Sequence, residues 1–174
     1  MEVIVPLCLA TDRSDLTLRQ ITIADAPALL LAIKNNQPEL RLYFDDTFRE
    51  TLSLEKIEDV ILRPKNAKKL RLGLRLRGAL VGEVTFYPIR EYPPCAIEIG
   101  YWVDREYRGV DLAPCAVHTA MQYAYEQWDV EYVQAYVHPD NYASKRVLEK
   151  LGYTLAKYGD EYHQYLIERP SPRT

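Results

Sequence analysis

Glu98-Ile-Gly-Tyr-Trp-Val-Asp-Arg-Glu-Tyr-Arg-Gly-Val-Asp-Leu-Ala-Pro114 is the stretch on which the reading of the chain turns. Ala96–Val103 has the apolar, aromatic composition of a buried strand. A charged loop follows over Asp104–Val110. A helix then runs from Asp111 to Trp128, with Leu112, Cys115, Ala116, Ala120, Tyr123 and Ala124 on one face. A strand feeding a basic loop and then a helix N-terminus presents unpaired N–H groups and the positive end of the helix dipole. Together these form an anion site, to which Arg105 and Arg108 add charge. An ordinary strand–helix connection has the same appearance, and the junction alone does not separate the two.

Downstream, Tyr132–Val137 reads as a strand, so the helix is a crossover between parallel strands. Asn141–Leu151 reads as a helix capped by Asp140 or Asn141, with Ser144, Val147, Leu148 and Leu151 in register. Lys150 in its last turn and Gly152 just beyond mark its end. Tyr153–Lys157 and Tyr162–Ile167 read as two further strands. Upstream, Leu16–Ile23 alternates as a half-buried strand. Asp25 is expected to cap a helix carrying Pro27 in its first turn. A second helix is expected near Ser53, with Leu54, Ile57 and Ile61 at helical spacing and Pro64 ending it. Lys69–Arg77 alternates strictly, leucines against Lys69, Arg71, Arg75 and Arg77, and Leu80–Tyr87 pairs with it through a turn at Gly78. The order predicts an α/β (α+β) fold: a mixed, mostly antiparallel seven-stranded sheet flanked by helices. One domain is expected over 1–174, with a core at about 11–167 and a frayed tail over 168–174.

Composition narrows the function classes. The 174 residues are 48% apolar and 27% charged, which excludes a disordered chain, and no collagen or coiled-coil repeat is present. A net charge of −3 argues against a general nucleic-acid binder, so no specific nucleic-acid partner is expected. The longest apolar runs, Val3–Ala10 and Ala26–Ile33, are eight residues each, whereas a membrane helix needs about 20. No membrane association is expected, and no basic segment before the first run suggests a signal peptide. Cys8, Cys95 and Cys115 are odd in number and widely spaced, as in a reduced, cytoplasmic protein. His118, His138 and His163 lack metal-ligand spacing, and no metal is expected.

The chemistry-bearing segments resemble the GNAT superfamily of N-acetyltransferases, and within it the branch that acetylates N-terminal amines of ribosomal proteins. Arg108-Gly-Val-Asp-Leu-Ala113 aligns with the acyl-CoA signature R/Q-x-x-G-x-G/A. Glu98-Ile-Gly-Tyr-Trp102 resembles that branch's fourth strand, and Asn141-Tyr-Ala-Ser-Lys-Arg-Val-Leu-Glu-Lys-Leu-Gly-Tyr153 its second motif. Thr11-Asp-Arg13 with Leu16-Thr-Leu-Arg19 resembles its opening. Two positions depart. Asp111 stands where the signature has its middle glycine, and Pro114 removes an N–H donor from the first helical turn. Asp111 is expected to cap the helix, putting a carboxylate where a phosphate oxygen would lie.

The resemblance implies splayed fourth and fifth strands with the pantetheine arm between them, and direct transfer from acetyl-CoA, the co-substrate, to a primary amine. By resemblance, Val103 serves the oxyanion or the pantetheine amide. Arg108, Gly109, Val110, Asp111, Leu112 and Ala113 hold the pyrophosphate, Asn141 contacts the CoA arm, and Ser144 lies near the sulfur as thiolate donor or positioner. The tyrosine that many members carry four residues later is Leu148 here, and the glutamate other members carry on the fifth strand is Tyr136. Glu98 is the candidate general base, and a structural glutamate is the competing reading; Asp160 and Glu161 are the alternatives. Tyr101 and Trp102 read as packing residues, and Cys115 as an inert core thiol.

Asp45, Asp46, Glu50, Glu55, Glu58 and Asp59 make the region of the first two helices acidic. That favours a cationic acceptor, whether a peptide N-terminus, a polyamine or an aminosugar, though a solvated helix face explains the same charges. The basic face of Lys69–Arg77 is expected to face solvent, with ribosomal RNA the alternative contact. A monomer or homodimer is expected. The rival to an enzyme is a degenerate, non-catalytic GNAT domain, suggested by Asp111 and Pro114.

Overall fold

Leu16, Leu18, Leu72 and Leu74 are buried on one face of a sheet because side chains two apart along a strand share a face. A computed structural model describes residues 6–43, 52–62, 69–88 and 96–170. Its sheet is formed by β1 (Cys8–Ala10), β2 (Leu16–Gln20), β3 (Leu70–Leu76), β4 (Ala79–Pro88), β5 (Ala96–Val103), β6 (Tyr132–Val137), β7 (Thr154–Lys157) and β8 (His163–Glu168). The helices are α1 (Ala26–Tyr43), α2 (Leu54–Leu62), α3 (Leu112–Gln127) and α4 (Tyr142–Lys150). The spatial order is β1-β2-β3-β4-β5-β6-β8-β7, and β5–β6 is the parallel pair. The mixed, mostly antiparallel architecture is as expected, but the described strands number eight. The addition, β1, is a three-residue edge strand antiparallel to β2, too short for alternation to reveal.

Two buried clusters cover the two faces. One joins the β2–β3–β4 leucines and valines to Ile99, Val103 and the apolar side of α3. The other joins α1 and α2 to Trp102. Trp102 and Val103 are consecutive on β5 and so enter opposite clusters.

The basic stripe of β3 is not a solvent face. Arg71 makes a two-pronged ion pair with Glu83 on β4, at 2.5 and 2.8 Å. Arg75 pairs with Asp25, which also accepts from Arg19 at 2.9 Å. Burial pushes the Glu83 carboxyl up, but the charge and hydrogen bonds of Arg71, with Thr85, outweigh it and hold the group below its ordinary value. Asp25 is not the helix cap. Thr22 caps a 3-10 turn over Ile23–Asp25, and the Asp25 carboxylate accepts from the Thr22 N–H at 2.9 Å before α1 begins. Two residues assigned to the expected tail are ordered by the sheet: Glu168 belongs to β8, and the Arg169 N–H donates to the Glu131 carbonyl at 2.6 Å; residues 171–174 lie outside the described residues. Pro64, Cys95 and the acidic Asp45, Asp46 and Glu50 lie outside the described residues.

Candidate active site

The site is made by a ladder that stops. β5 and β6 pair through Ala96↔Tyr132, Ile97↔Val133 and Glu98↔Gln134, and no further. Beyond Glu98, β5 stays paired with β4 up to Gly82↔Val103. Among the described residues, no strand pairs with its other edge over Gly100–Val103. The predicted splay is therefore present, and Glu98 sits at its fork.

On the α3 side of the fork, the chain turns through Gly109 at φ 81° and Asp111 at φ 58° into α3. Both are left-handed, which explains why a glycine suits position 111; aspartate is one of the few other residues that tolerates the region. The Asp111 carboxylate does not cap α3. It is 71% exposed and accepts from Lys150 Nζ on α4 at 2.8 Å. The predicted mimicry of a phosphate oxygen is thus incorrect: with a left-handed backbone at Asp111, the side chain leaves the helix end and finds a cation. Pro114 costs no helical hydrogen bond, since its N–H would be unpaired in a first turn. Cys115 resumes the ladder, donating to the Asp111 carbonyl at 3.3 Å.

A cleft of about 820 Å³ opens over this helix end. Of the residues the resemblance singled out, Val103, Arg108, Gly109, Asp111, Leu112, Ala113, Asn141 and Ser144 line it, and Val110 does not. Val110 is exposed, and its carbonyl accepts from Arg13. Arg108 is already engaged: its Nε donates to the Val103 carbonyl at 2.9 Å, and its head group pairs with Glu39 on α1. Asn141 is the α4 cap, its Oδ1 accepting from the Ser144 N–H at 3.1 Å. Arg146 and Lys150 also line the cleft; the sequence reading missed them because helix-face cations are ordinarily solvent residues.

A second cavity of about 470 Å³ lies at the fork, lined by Glu98, Lys69, Tyr87, His138 and Tyr162 among others. Burial pushes the Glu98 carboxyl up, with the Lys69 charge opposing. Lys69 Nζ lies 4.3 Å from the centroid of the Tyr87 ring. Gly100 leaves space for that ring: a Cβ there would meet it at 3.1 Å. His138 stacks near Tyr43 and Tyr162, at 5.6 and 6.4 Å between ring centroids. No local motif announces this aromatic wall, because its rings, Tyr43, Tyr87, His138 and Tyr162, come from four separate segments. Asp160 and Glu161 are exposed and line neither cavity, and neither do Glu55, Glu58 and Asp59.

The two cavities meet. Tyr43, Tyr101, Asn141 and Ser144 border both. The Tyr101 hydroxyl lies 2.9 Å from Ser144 Oγ and 3.1 Å from the Ser144 carbonyl oxygen. Tyr101, read from sequence as packing alone, therefore reaches the junction. Among the described residues, no three His, Cys, Asp or Glu side chains converge as metal ligands, and no helix is long and apolar enough to cross a membrane.

A sheet split beside a helix N-terminus, with two clefts meeting at the split, is the architecture of an acyltransferase. The chain belongs to the GNAT acetyltransferase family: the family model described as "Acetyltransferase (GNAT) domain" matches residues 15–154. It is 28% identical over 146 residues to "Putative ribosomal N-acetyltransferase YdaF" of Bacillus subtilis, covering 79% of this chain and 77% of that one. The structure of Mycobacterium smegmatis RimJ in complex with CoA-disulfide superposes with a TM-score of 0.80 at 18% identity, covering 94% of this chain and 88% of that one. A Salmonella typhimurium acetyltransferase described as one that modifies the N-terminal serine of 50S ribosomal subunit protein L7/L12 superposes with a TM-score of 0.77 at 21% identity, covering 94% of this chain and 100% of that one. At those identities the likeness is one of fold.

Proposed function

We propose that the protein transfers an acetyl group from acetyl-CoA directly to the N-terminal amine of a protein or peptide. The observation that carries this reading is the meeting of the two cavities at Tyr101, Asn141 and Ser144. One cavity suits an anionic, phosphate-bearing donor, and the other contains a half-buried carboxylate. The 820 Å³ cleft fits such a donor because the first turn of α3 lines it, with Arg146 and with Arg108 and Lys150, whose partners Glu39 and Asp111 line it too. The bare edge of β5 supplies backbone groups for an amide-bearing arm. When bound, acetyl-CoA supplies an activated acyl carbon.

The chain's own residues do the rest. The acceptor amine attacks in its neutral form, because a protonated amine has no free lone pair, and Glu98 takes the proton that the nitrogen sheds as the C–N bond forms. Burial suits it to this role by bringing its carboxyl toward working pH. A backbone N–H near Val103 stabilises the oxyanion. Ser144 faces the departing sulfur. Asp111 does not argue for a degenerate site, because Lys150 already neutralises its carboxylate.

A peptide N-terminus is favoured over a polyamine or aminosugar. The described part of the acceptor cavity has one carboxylate, Glu98, beside its own ammonium, Lys69, so a second cationic group meets no partner. The names of YdaF and of the Salmonella enzyme point the same way. The test is thiol release from acetyl-CoA with N-terminally free peptides, spermidine and an aminosugar. Turnover with peptides only is expected. Turnover confined to spermidine or the sugar would overturn the acceptor, and none with any amine would overturn the activity.

A further inference from the structure

We propose that Tyr101 is a positioning residue for the departing sulfur: it turns the Ser144 hydroxyl so that its hydrogen points to the thiolate. The inference rests on the acetyl transfer proposed above. Tyr101 lies on the unpaired stretch of β5, and Ser144 in the first turn of α4. Their hydroxyls form the contact at which the two cavities join.

Counting hydrogens shows how the pair works. The phenol has one hydrogen and two acceptors within reach, Ser144 Oγ at 2.9 Å and the Ser144 carbonyl at 3.1 Å. If it donates to the carbonyl, the Ser144 hydroxyl donates to the phenol oxygen, and only lone pairs are left facing the cleft. If it donates to Oγ, the Ser144 hydrogen is released to the cleft. A neutral thioester sulfur is a weak acceptor and gives little preference between the two arrangements. A thiolate is a strong acceptor and selects the second. The added stabilisation appears only as negative charge develops on sulfur, which is the kind that lowers a barrier.

The step balances without an acid. The neutral amine attacks the acyl carbon, the C–N bond forms, and Glu98 takes the proton from nitrogen. The C–S bond breaks, and its electron pair stays on sulfur. Neither hydroxyl gives up its proton. Burial pushes the Tyr101 hydroxyl well above its ordinary value, so Tyr101 holds its proton and acts by orientation. The family resemblance points to a tyrosine at the position of Leu148; here the phenol approaches from the strand and acts through a serine.

The test compares the binding of CoA and desulfo-CoA by calorimetry, from pH 7 to pH 10. Desulfo-CoA lacks the sulfur and monitors the rest of the site. Wild type should prefer CoA increasingly as the thiol ionises, reaching about tenfold to a hundredfold, the range for a hydrogen bond to a charged group. Tyr101→Phe and Ser144→Ala should each remove most of that preference, read as the ratio of CoA to desulfo-CoA affinity within each protein, and the double variant should lose no more of it than either alone. A Tyr101→Phe protein that keeps the wild-type preference would overturn the proposal. So would parallel loss of affinity for both ligands, which marks Tyr101 as structural only. If wild type binds neither ligand, acetyl-CoA use itself is overturned, and the role of Tyr101 with it.

Discussion

At position 111 the left-handed backbone and the carboxylate have separate consequences. Asp111→Gly relieves the backbone and removes the charge, but it also frees Lys150, which lines the same cleft. An exposed ion pair of this kind contributes about 0–1 kcal/mol. CoA binding should therefore tighten by less than about tenfold, and Asp111→Asn should fall between the two, as isothermal titration would show. At position 98 burial raises the carboxyl. The acidic limb of kcat/KM should lie above the ordinary carboxylate range and vanish in Glu98→Gln. The sign for stability is opposite to that of a paired acid: a raised folded-state value means stability is lost as pH rises through it. Glu98→Gln should thus melt higher than wild type at neutral pH and not in acid. A limb that survives the substitution would move the base elsewhere.

The decisive element is β5, paired on both edges up to Glu98 and on one edge beyond it. Its far end is held by close backbone contact with β4. The Asp104 N–H donates to the Val81 carbonyl at 2.8 Å, and a Cβ on Gly82 would lie 2.4 Å from the Trp102 carbonyl oxygen. Backbone cannot yield as a side-chain tip can. Gly82→Ala should therefore cost about 1–3 kcal/mol, the usual range for overpacking, and lower the melting temperature by roughly 2–4 °C for each of those kilocalories. It should also weaken CoA binding, because Val103 and the loop after it move with the strand. A thermal melt paired with a CoA titration checks both.

Across the whole molecule, the α1–α2 face of the sheet is a polar layer as well as an apolar one. Glu83 is 3% exposed, and its carboxylate is satisfied by Arg71 and Thr85. Glu83→Gln leaves the Arg71 charge without its counter-charge, a change that typically costs about 3–5 kcal/mol. Because the folded-state value of Glu83 is lowered, its contribution is present above the unfolded value and lost as pH falls through the folded one. The gap between wild type and variant in denaturant titrations should be widest near neutrality and narrow in acid.

Local rules were enough for the helices, the α3 helix start and the described strands other than the three-residue β1, because side-chain periodicity and capping act within a few residues. Lys69–Arg77 was legible as a strand for that reason, and Arg108–Ala113 as a loop entering a helix. The burial of the leucine face of β3 was legible, but the covering of its arginine face was not. Its arginines meet Asp25 and Glu83, and only the packed sheet with α1 and α2 over it turns an apparently solvated stripe into buried ion pairs. The Asp111 carboxylate met Lys150 from 39 residues away, a pairing no local capping rule contains. Tyr101 and Ser144 stand 43 residues apart; the family resemblance singles out Ser144, whereas Tyr101 reads as packing, and nothing local joins the two. The sequence by itself determined the elements, their order and the candidate carboxylate. The tertiary structure decided which cation each acid meets and where the two clefts join, because those contacts depend on which distant segments the fold brings within hydrogen-bond reach.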